Sequence, residues 1–439
     1  MADEKLKVYQ IGLQNWGRYG FEKLIDLHRH LEEVDVELVG VCDKDMERLE
    51  KAEEFARHSH VDLETFLRTS EMYDHAAEQE GPVMVYDAGP PRDHANHVYE
   101  SLRRNFFHVA ERPPSLDREQ HVREKQLAED SDVMWTVDFI ERENPVVLKA
   151  LELVEDREID SLKVFRESSV GIQKLLEPVR FFDVRGGDLL HKMSHDIYAL
   201  DILENSAAES NPEFVDGEMK YVMPKDTGSD KVMTVTGNQS TEIGPDTATG
   251  MSYCVMNAGG TRVELHSSWL GLSGEAENFI ERFSGELDHE LADRKFREAG
   301  EKAFLDEEAA FFVIEGEKDL LGDMLHGRLY DLETGDELGV PDLMHDQLHR
   351  VLKNAVLRAA GKDSDVPGSG EVDRLMEILF DTREAALDHD FDFYSELDRS
   401  LDRIDDRVIE DGKILEHRGP DGQVENPDES RDTVREEEG

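Results

Sequence analysis

Hydrophobic and polar positions follow two alternating periods in the first third of the chain. The apolar runs 7–11 and 36–41 are typical of buried strands, and the apolar positions between them recur at helical spacing. The same alternation continues with strand-like runs at 82–86 and 106–110 on either side of a second amphipathic helix. Strands separated by helices of this length predict a parallel sheet with right-handed crossovers.

The pattern changes after a last strand-like run at 133–139. Asn144-Pro145 then predicts a helix start, because proline suits the first helical turn. Between 215 and 270 several strand-like runs follow one another without intervening helices, with a glycine-containing turn at 257–260. Successive strands of this kind favour an antiparallel or mixed sheet.

The end of the chain carries two helical patterns and a polar tail. Apolar positions recur at helical spacing from Leu348 to Val356 and again from Val372 to Ala386. We therefore predict an α/β protein with a Rossmann domain at 1–140, an α/β domain with a large, open, mostly antiparallel sheet at 141–412, and an acidic, disordered tail at 413–439.

The net charge narrows the function classes. The 439 residues include 102 Asp and Glu against 50 Lys and Arg, a formal charge of −52, yet 38% of residues are apolar. This field repels phosphate polyanions and anionic lipid headgroups, which argues against nucleic-acid and membrane partners. Because molar salt shortens the Debye length to about 3 Å, such a surface suits a cytoplasmic protein of a salt-accumulating halophile. The low ratio of 19 Lys to 31 Arg fits that interpretation.

The cysteines and the start of the chain add little chemistry. Cys42 and Cys254 are in no metal or redox spacing, so we expect two buried thiols and no metal centre. The first residues are polar and run into a strand without an apolar leader, which favours a soluble, cytoplasmic protein.

A glycine-containing turn follows the first predicted strand and begins the first helix. Gly12 and Gly17 stand at the first and last positions of a dinucleotide-binding fingerprint, and Gln14 replaces its second glycine. Asp43 ends the second strand, where a carboxylate can accept hydrogen bonds from ribose hydroxyls, so we predict NAD, with NADP as the alternative. The remaining residues predicted to bind the cofactor in this turn are Asn15 and Trp16.

Further motifs follow the fingerprint in an order that resembles one family. The chain is similar to the glucose-fructose oxidoreductase, inositol dehydrogenase and MocA family, abbreviated Gfo/Idh/MocA, over roughly residues 5–395. The similar segments are Pro90-Pro91-Arg92-Asp93-His94, Glu111-Arg112-Pro113, the run 140–145, the run 186–195 and the two closing helices.

The resemblance implies hydride transfer between NAD(P) and a carbinol of a sugar, inositol or related polyol. It also implies homodimers or homotetramers and places the remaining cofactor contacts on Pro90, Pro91, His94 and Glu111. Two positions depart from the family: its catalytic lysine falls on Arg112 and its catalytic aspartate on His191. His195 matches the family histidine.

The chemistry of hydride transfer assigns roles to these residues. An imidazole at His195 can take the hydroxyl proton, and the charged Arg112 can hold a developing alkoxide. On a helix, Asp188, His191 and Tyr198 share a face with His195, opposite an apolar stripe. The predicted catalytic residues are His195, His191, Arg112 and Lys192, and the predicted substrate contacts are Tyr198, Asp188 and Arg142.

Two other functions stay open at the level of sequence. Some relatives are hydrolases or lyases that keep NAD bound and oxidise their sugar only transiently. A non-catalytic sugar or nucleotide binder is also consistent with arginine and histidine at the two altered positions.

Overall fold

The computed structural model describes residues 5–131, 134–168, 189–190, 192–208, 213–221, 249–268, 308–387, 407–410, 413–418 and 424–425. The α-helices of this part of the chain are α1 (Trp16–His30), α2 (Met46–His58), α3 (Thr69–Ala77), α4 (Pro91–Leu102), α5 (Arg118–Asp130), α6 (Pro145–Val154), α7 (Tyr198–Asn205), α8 (Gln347–Ala359) and α9 (Ser369–Leu387). Two 3-10 helices span Ile140–Glu143 and Met193–Ile197.

The first sheet is parallel and has six strands. Its strands are β1 (Leu6–Ile11), β2 (Val36–Cys42), β3 (Glu64–Phe66), β4 (Val83–Asp87), β5 (Phe107–Ala110) and β6 (Trp135–Val137), in the spatial order β3-β2-β1-β4-β5-β6. Every residue of β4 and β5 is buried, which explains their nearly continuous apolar sequence. This arrangement confirms the predicted Rossmann domain.

Several elements of the first domain have no apolar period that would reveal them. The buried side chains of α5 are His121 and Glu124, so its inward face is polar. Local capping shows where two of these helices begin: the Asp45 side chain accepts hydrogen bonds from the first amides of α2, and Asp117 accepts one from Gln120 at the start of α5.

The second sheet has eight strands and is mostly antiparallel, as predicted. Its strands are β7 (Ile159–Ser168), β8 (Glu213–Tyr221), β9 (Thr249–Ala258), β10 (Thr261–Ser268), β11 (Glu308–Gly316), β12 (Leu320–Asp323), β13 (Arg328–Asp331) and β14 (Glu337–Leu338). Their order is β14-β13-β12-β11-β7-β10-β9-β8, and the β7–β10 pair is parallel. Gly259 and Gly260 take φ of 60° and 115° in the predicted turn between β9 and β10. The strand predicted at 231–236 lies outside the described residues.

Hydrophobic clusters join the early and late parts of the chain. Leu348, Leu352 and Val356 of α8 belong to the same buried cluster as Leu24 of α1 and Leu38 of β2. A second cluster combines Trp135 of β6 with the inner face of the eight-stranded sheet and with α9. Both cysteines are buried free thiols.

The acidic tail differs from its prediction. Strands β15 (Arg407–Glu410), β16 (Lys413–Arg418) and β17 (Val424–Glu425) form a small antiparallel sheet, two of whose strands fall where we predicted disorder. The sequence Asp411-Gly412 between two alternating segments is a hairpin signal, which the charge of the tail concealed. Among the described helices, none is long and apolar enough to cross a membrane.

Candidate active site

The carboxyl ends of β1, β4, β5 and β6 bring four loops to one edge of the parallel sheet. Ile11 pairs with Asp87, which pairs with Ala110, which in turn pairs with Val137. The amide of Glu111 donates to the Asp87 carbonyl at 2.7 Å, which extends this alignment into the loops. Ligands of open α/β sheets bind at this edge.

The loop after β1 requires glycine at two positions. Gly12 has a φ of 83°, and a Cβ there would lie 2.4 Å from the Ala88 carbonyl oxygen. A Cβ on Gly17 would lie 2.5 Å from the Gly12 carbonyl oxygen. The predicted glycines therefore allow the loop to approach both β4 and its own helix.

Gln10 holds this loop closed, a role that the sequence pattern did not reveal. Its side-chain amide donates to the carbonyls of Gly12 and Gly17 at 2.7 and 2.6 Å, and the side chain is fully buried. A glutamine on the inward face of an otherwise apolar strand was the available signal.

The start of α1 fits an anionic ligand. No side chain caps the helix at Asn15, and no acidic residue lies in its first turn, so the positive end of the helix dipole faces the loop. The Gly17 amide itself donates to the Gln14 carbonyl at 2.9 Å. Gln14 and Asn15 are exposed, and Trp16 is half-buried with its ring 5.5 Å from that of Tyr19. Gln14, Asn15 and Trp16, which the sequence predicts to bind the cofactor, therefore lie in this loop and at the start of α1.

Asp43 is placed at the end of β2, as predicted for a ribose acceptor. Its carboxylate accepts hydrogen bonds from the amides of Leu13 at 2.8 Å and Asp45 at 2.9 Å. An ionised carboxylate has about four lone-pair positions, so it can also accept from ribose hydroxyls. Arg48 lies 3.5 Å away and offsets part of the negative charge.

The motif Pro90–His94 contains buried side chains that hold neighbouring loops in position. Pro91 is the first residue of α4 and is buried, with Pro90 just before it. His94 is fully buried, and its two ring nitrogens lie 2.8 and 2.9 Å from the carbonyl oxygens of Pro113 and Gly89. In this structure His94 ties two loops together, which differs from the direct cofactor contact expected from the resemblance.

Arg112 and His195 meet although they are far apart in sequence. The Nε of Arg112 donates to the Nε2 of His195, and a guanidinium nitrogen of Arg112 donates to Glu111 at 3.1 Å. On the other side of the imidazole, Nδ1 lies 3.6 Å from a carboxylate oxygen of Glu141. The site therefore contains a cation, an imidazole and a carboxylate in contact.

A buried arginine supports this group from β7. Arg166 donates to the same oxygen of Glu141 at 3.1 Å and to Asp196 at 2.9 Å. Burial raises the pKa of Asp196 to about 6, although Arg166 opposes the shift. We did not predict Glu141, Arg166 or Asp196, because their contacts join segments that the sequence pattern treats separately.

The structure contradicts the regular helix predicted around His195. Met193–Ile197 is a 3-10 helix with a kink at Asp196, so the spacing of 100° per residue does not apply across it. Tyr198 is fully buried, and its ring packs against Phe312 with ring centres 5.9 Å apart.

The remaining predicted residues have mixed placements. Lys192 is buried, and its carbonyl accepts from the His195 amide at 3.0 Å. Arg142, which we predicted to contact the substrate, donates to Asp201 at 2.7 Å. This hydrogen bond joins the first 3-10 helix to α7. His191 and Asp188 lie outside the described residues.

A buried acid, Asp138, lies close to the loop that carries Arg112. Asp138 follows β6, is buried, and accepts a hydrogen bond from the Tyr86 hydroxyl at 3.0 Å. Burial raises the pKa of Asp138 well above its usual value, and the negative charge of Glu111 adds to this shift. Both effects favour the neutral form of Asp138 beside Glu111, whose own charge is paired with Arg112 at 3.1 Å.

Comparison with known proteins identifies the first domain. The family model described as an oxidoreductase family with an NAD-binding Rossmann fold, Gfo/Idh/MocA, matches residues 6–139. These residues belong to the Gfo/Idh/MocA oxidoreductase family. They form an NAD-binding domain. The features that fit the cofactor are the glycine loop, the start of α1, which no side chain caps, and Asp43. No curated protein matches the sequence at a significant level.

Solved structures share the fold over most of the chain. WlbA dehydrogenase from Bordetella pertussis, in complex with NADH and UDP-GlcNAcA, has a TM-score of 0.59 at 16% identity and covers 88% of this chain and 97% of its own. A levoglucosan dehydrogenase in complex with NADH and L-sorbose has a TM-score of 0.62 at 11% identity, with coverages of 87% and 97%. UDP-N-acetylglucosamine 3-dehydrogenase GnnA from Acidithiobacillus ferrooxidans gives 0.57 at 16%, with coverages of 88% and 99%. At these identities the likeness is one of fold.

Proposed function

We propose that this protein is an NAD-dependent dehydrogenase that transfers hydride between nicotinamide and a carbinol of a sugar or related polyol. The observation that carries the proposal is the contact of Arg112 and His195 at the carboxyl edge of an NAD-binding sheet. Hydride transfer from a carbinol needs a cation and a base at one oxygen, and these side chains supply both.

The proposed chemistry uses two side chains at the substrate oxygen. The chemistry supplied by bound NAD is the acceptance of a hydride from the carbinol carbon. His195 Nε2 takes the hydroxyl proton as the carbon–oxygen bond becomes a carbonyl, and Arg112 donates a hydrogen bond to the same oxygen as negative charge develops. Because the guanidinium stays protonated, Arg112 acts only as an electrostatic clamp, and proton transfer is left to His195.

The substrate class rests on the chemistry of the site and on the neighbouring structures. Three of the similar structures are dehydrogenases, and two of them are complexes with sugar-type ligands, UDP-GlcNAcA and L-sorbose. A sugar or polyol presents several hydroxyl groups to Arg112 and Glu111. We extend the proposal to a homodimer or homotetramer, which light scattering in molar KCl would test.

Cofactor binding and turnover can be tested separately. NAD titrated into the full chain in molar KCl should quench tryptophan fluorescence, because Trp16 stands in the cofactor loop. A screen of sugars, inositols and their acids should then give NADH absorbance at 340 nm with at least one substrate. His195→Asn should abolish turnover without weakening NAD binding. His326→Asn, which changes an exposed histidine paired with the buried Asp323, should leave both turnover and NAD binding unchanged.

Three results would contradict this function. Absence of binding of both NAD and NADP would exclude a dehydrogenase. Conversion of a sugar without net NADH formation would favour the redox-neutral hydrolase or lyase. NAD binding without turnover across the screen would favour a non-catalytic binder.

A further inference from the structure

The resemblance places a catalytic carboxylate at position 191, where this chain has His191, and a carboxylate from a different element lies beside His195. Glu141 lies on the first 3-10 helix, and its carboxylate is 3.6 Å from Nδ1 of His195. The two side chains are each only 11% exposed. Glu141 precedes β7 in the sequence and His195 follows it, so their contact joins two segments that are distant along the chain.

The hydrogen-bond direction at the other ring nitrogen fixes the tautomer. An arginine can only donate, so Nε2 of His195 must accept from Arg112 and carries no proton. The proton of the neutral imidazole is then on Nδ1, which faces Glu141. The single lone pair of Nε2 accepts from Arg112 here, so a substrate hydroxyl between the two side chains takes the place of Arg112 as the donor to Nε2.

The charges around the imidazole are arranged in a row. Arg112 lies on the Nε2 side with Glu111 behind it, and Glu141 lies on the Nδ1 side with Arg166 behind it. Asp196 accepts from Arg166, and Lys192 lies on the same turn as His195. Arg166 therefore holds Glu141 in place and limits how strongly its charge acts on the ring.

We infer that Glu141 is the positioning residue that holds His195 in the Nδ1–H tautomer and stabilises its protonated form. The inference rests on the proposed function and deepens it by naming the carboxylate that replaces the one missing at position 191. When Nε2 takes the substrate proton, the imidazolium keeps its Nδ1–H toward Glu141, so the new positive charge forms beside a fixed negative one.

The test reads the imidazole directly and needs no substrate. Full-length protein labelled with ¹⁵N-histidine would be titrated by long-range ¹H–¹⁵N spectroscopy, with the His195 signals assigned from their loss in His195→Gln. Glu141→Gln should lower the pKa of His195 by on the order of one pH unit and remove the preference for the Nδ1–H tautomer. Unchanged His195 signals in this variant would overturn the inference.

Two further variants control for folding and for general loss of charge. Glu143→Gln removes a carboxylate of the same 3-10 helix that pairs with Arg350 at 3.0 Å, and should leave His195 unchanged. Glu141→Asp keeps the charge but draws it back from Nδ1, so a smaller fall of the pKa is expected. If Glu141→Gln does not fold, an unchanged pKa in Glu141→Asp overturns the inference.

A failure of this inference can be distinguished from a failure of the proposed function. NAD titration of the same samples measures cofactor binding independently of the His195 signals. NAD-dependent turnover with an unaltered His195 in Glu141→Gln would refute the positioning role and leave the dehydrogenase. A shifted His195 in a chain that binds neither NAD nor NADP would refute the dehydrogenase and leave the contact.

Discussion

At the scale of single residues, Arg112 separates charge stabilisation from proton transfer. Arg112→Met should lower kcat by about 100- to 1000-fold, because it removes a donor to the developing alkoxide. Arg112→Lys keeps a positive charge, so its kcat should fall much less. Steady-state kinetics with the substrate found by screening, together with NAD titration, would measure both effects. Equal losses in the two variants would show that the charge of Arg112 is not what the reaction uses.

Gln10 offers a second residue-scale prediction. Gln10→Leu leaves two buried carbonyl groups without their donor, so the free energy of unfolding should fall by about 1–3 kcal/mol. NAD affinity should fall as well, because the cofactor loop loses its closure. Urea unfolding and NAD titration would measure the two effects. Gln79→Leu, which removes one hydrogen bond to His75 in α3, is the matched control and should leave NAD affinity unchanged.

Site residues were predictable where the motif is local. Gly12, Gly17 and Asp43 follow from the order of strand, turn and helix, and the structure places them together. Arg112 and His195 needed a family resemblance, because 83 positions separate them. Glu141 and Arg166 could not be found from sequence, since nothing in a single chain shows which buried charges face each other.

At the scale of elements, α5 is held to α9 by a buried charged group. His121 lies 3.2 Å from Asp373 of α9 and 3.5 Å from Glu124. Burial alone would lower the pKa of His121, but the two carboxylates raise it to about 9. The charged imidazole therefore stabilises the packing of these two helices.

The contact makes stability depend on pH in a defined window. Because the pKa of His121 is raised on folding, its contribution is complete below about pH 6.5 and is lost as the pH rises toward 9. Its largest value is on the order of 3 kcal/mol. The stability difference between wild type and His121→Gln, from urea unfolding, should shrink over that window. The exposed His326→Gln should show no such trend, and a constant difference for His121→Gln would contradict the assignment.

Elements with an apolar face were predictable, and those with a polar buried face were not. α1, α4, α6, α8 and α9 have apolar positions at helical spacing and were confirmed. The buried side chains of α5 are His121 and Glu124, so the helical spacing of its buried positions does not appear in a pattern of apolar residues. The segment Met193–Ile197 was predicted as part of a regular helix, and its 3-10 geometry could not be seen from apolar spacing.

At the scale of the whole molecule, the charge of −52 predicts a dependence on salt. Raising KCl into the molar range should increase the free energy of unfolding, because it screens repulsion between exposed carboxylates. The contacts around His195 should respond less, since buried pairs are screened less. Urea unfolding across a KCl series would measure the effect. Sucrose, which stabilises without screening, is the control; an equal rise in sucrose would remove the electrostatic explanation.

The packing of α8 on the first domain has a consequence for how the chain is made. The parallel sheet ends at Val137, but Leu348, Leu352 and Val356 complete its hydrophobic cluster. During synthesis the domain emerges from the ribosome with that surface uncovered and is closed only when nearly the whole chain has been translated. A fragment cut at residue 140 would expose the same surface permanently, so the cofactor domain should aggregate when it is expressed alone.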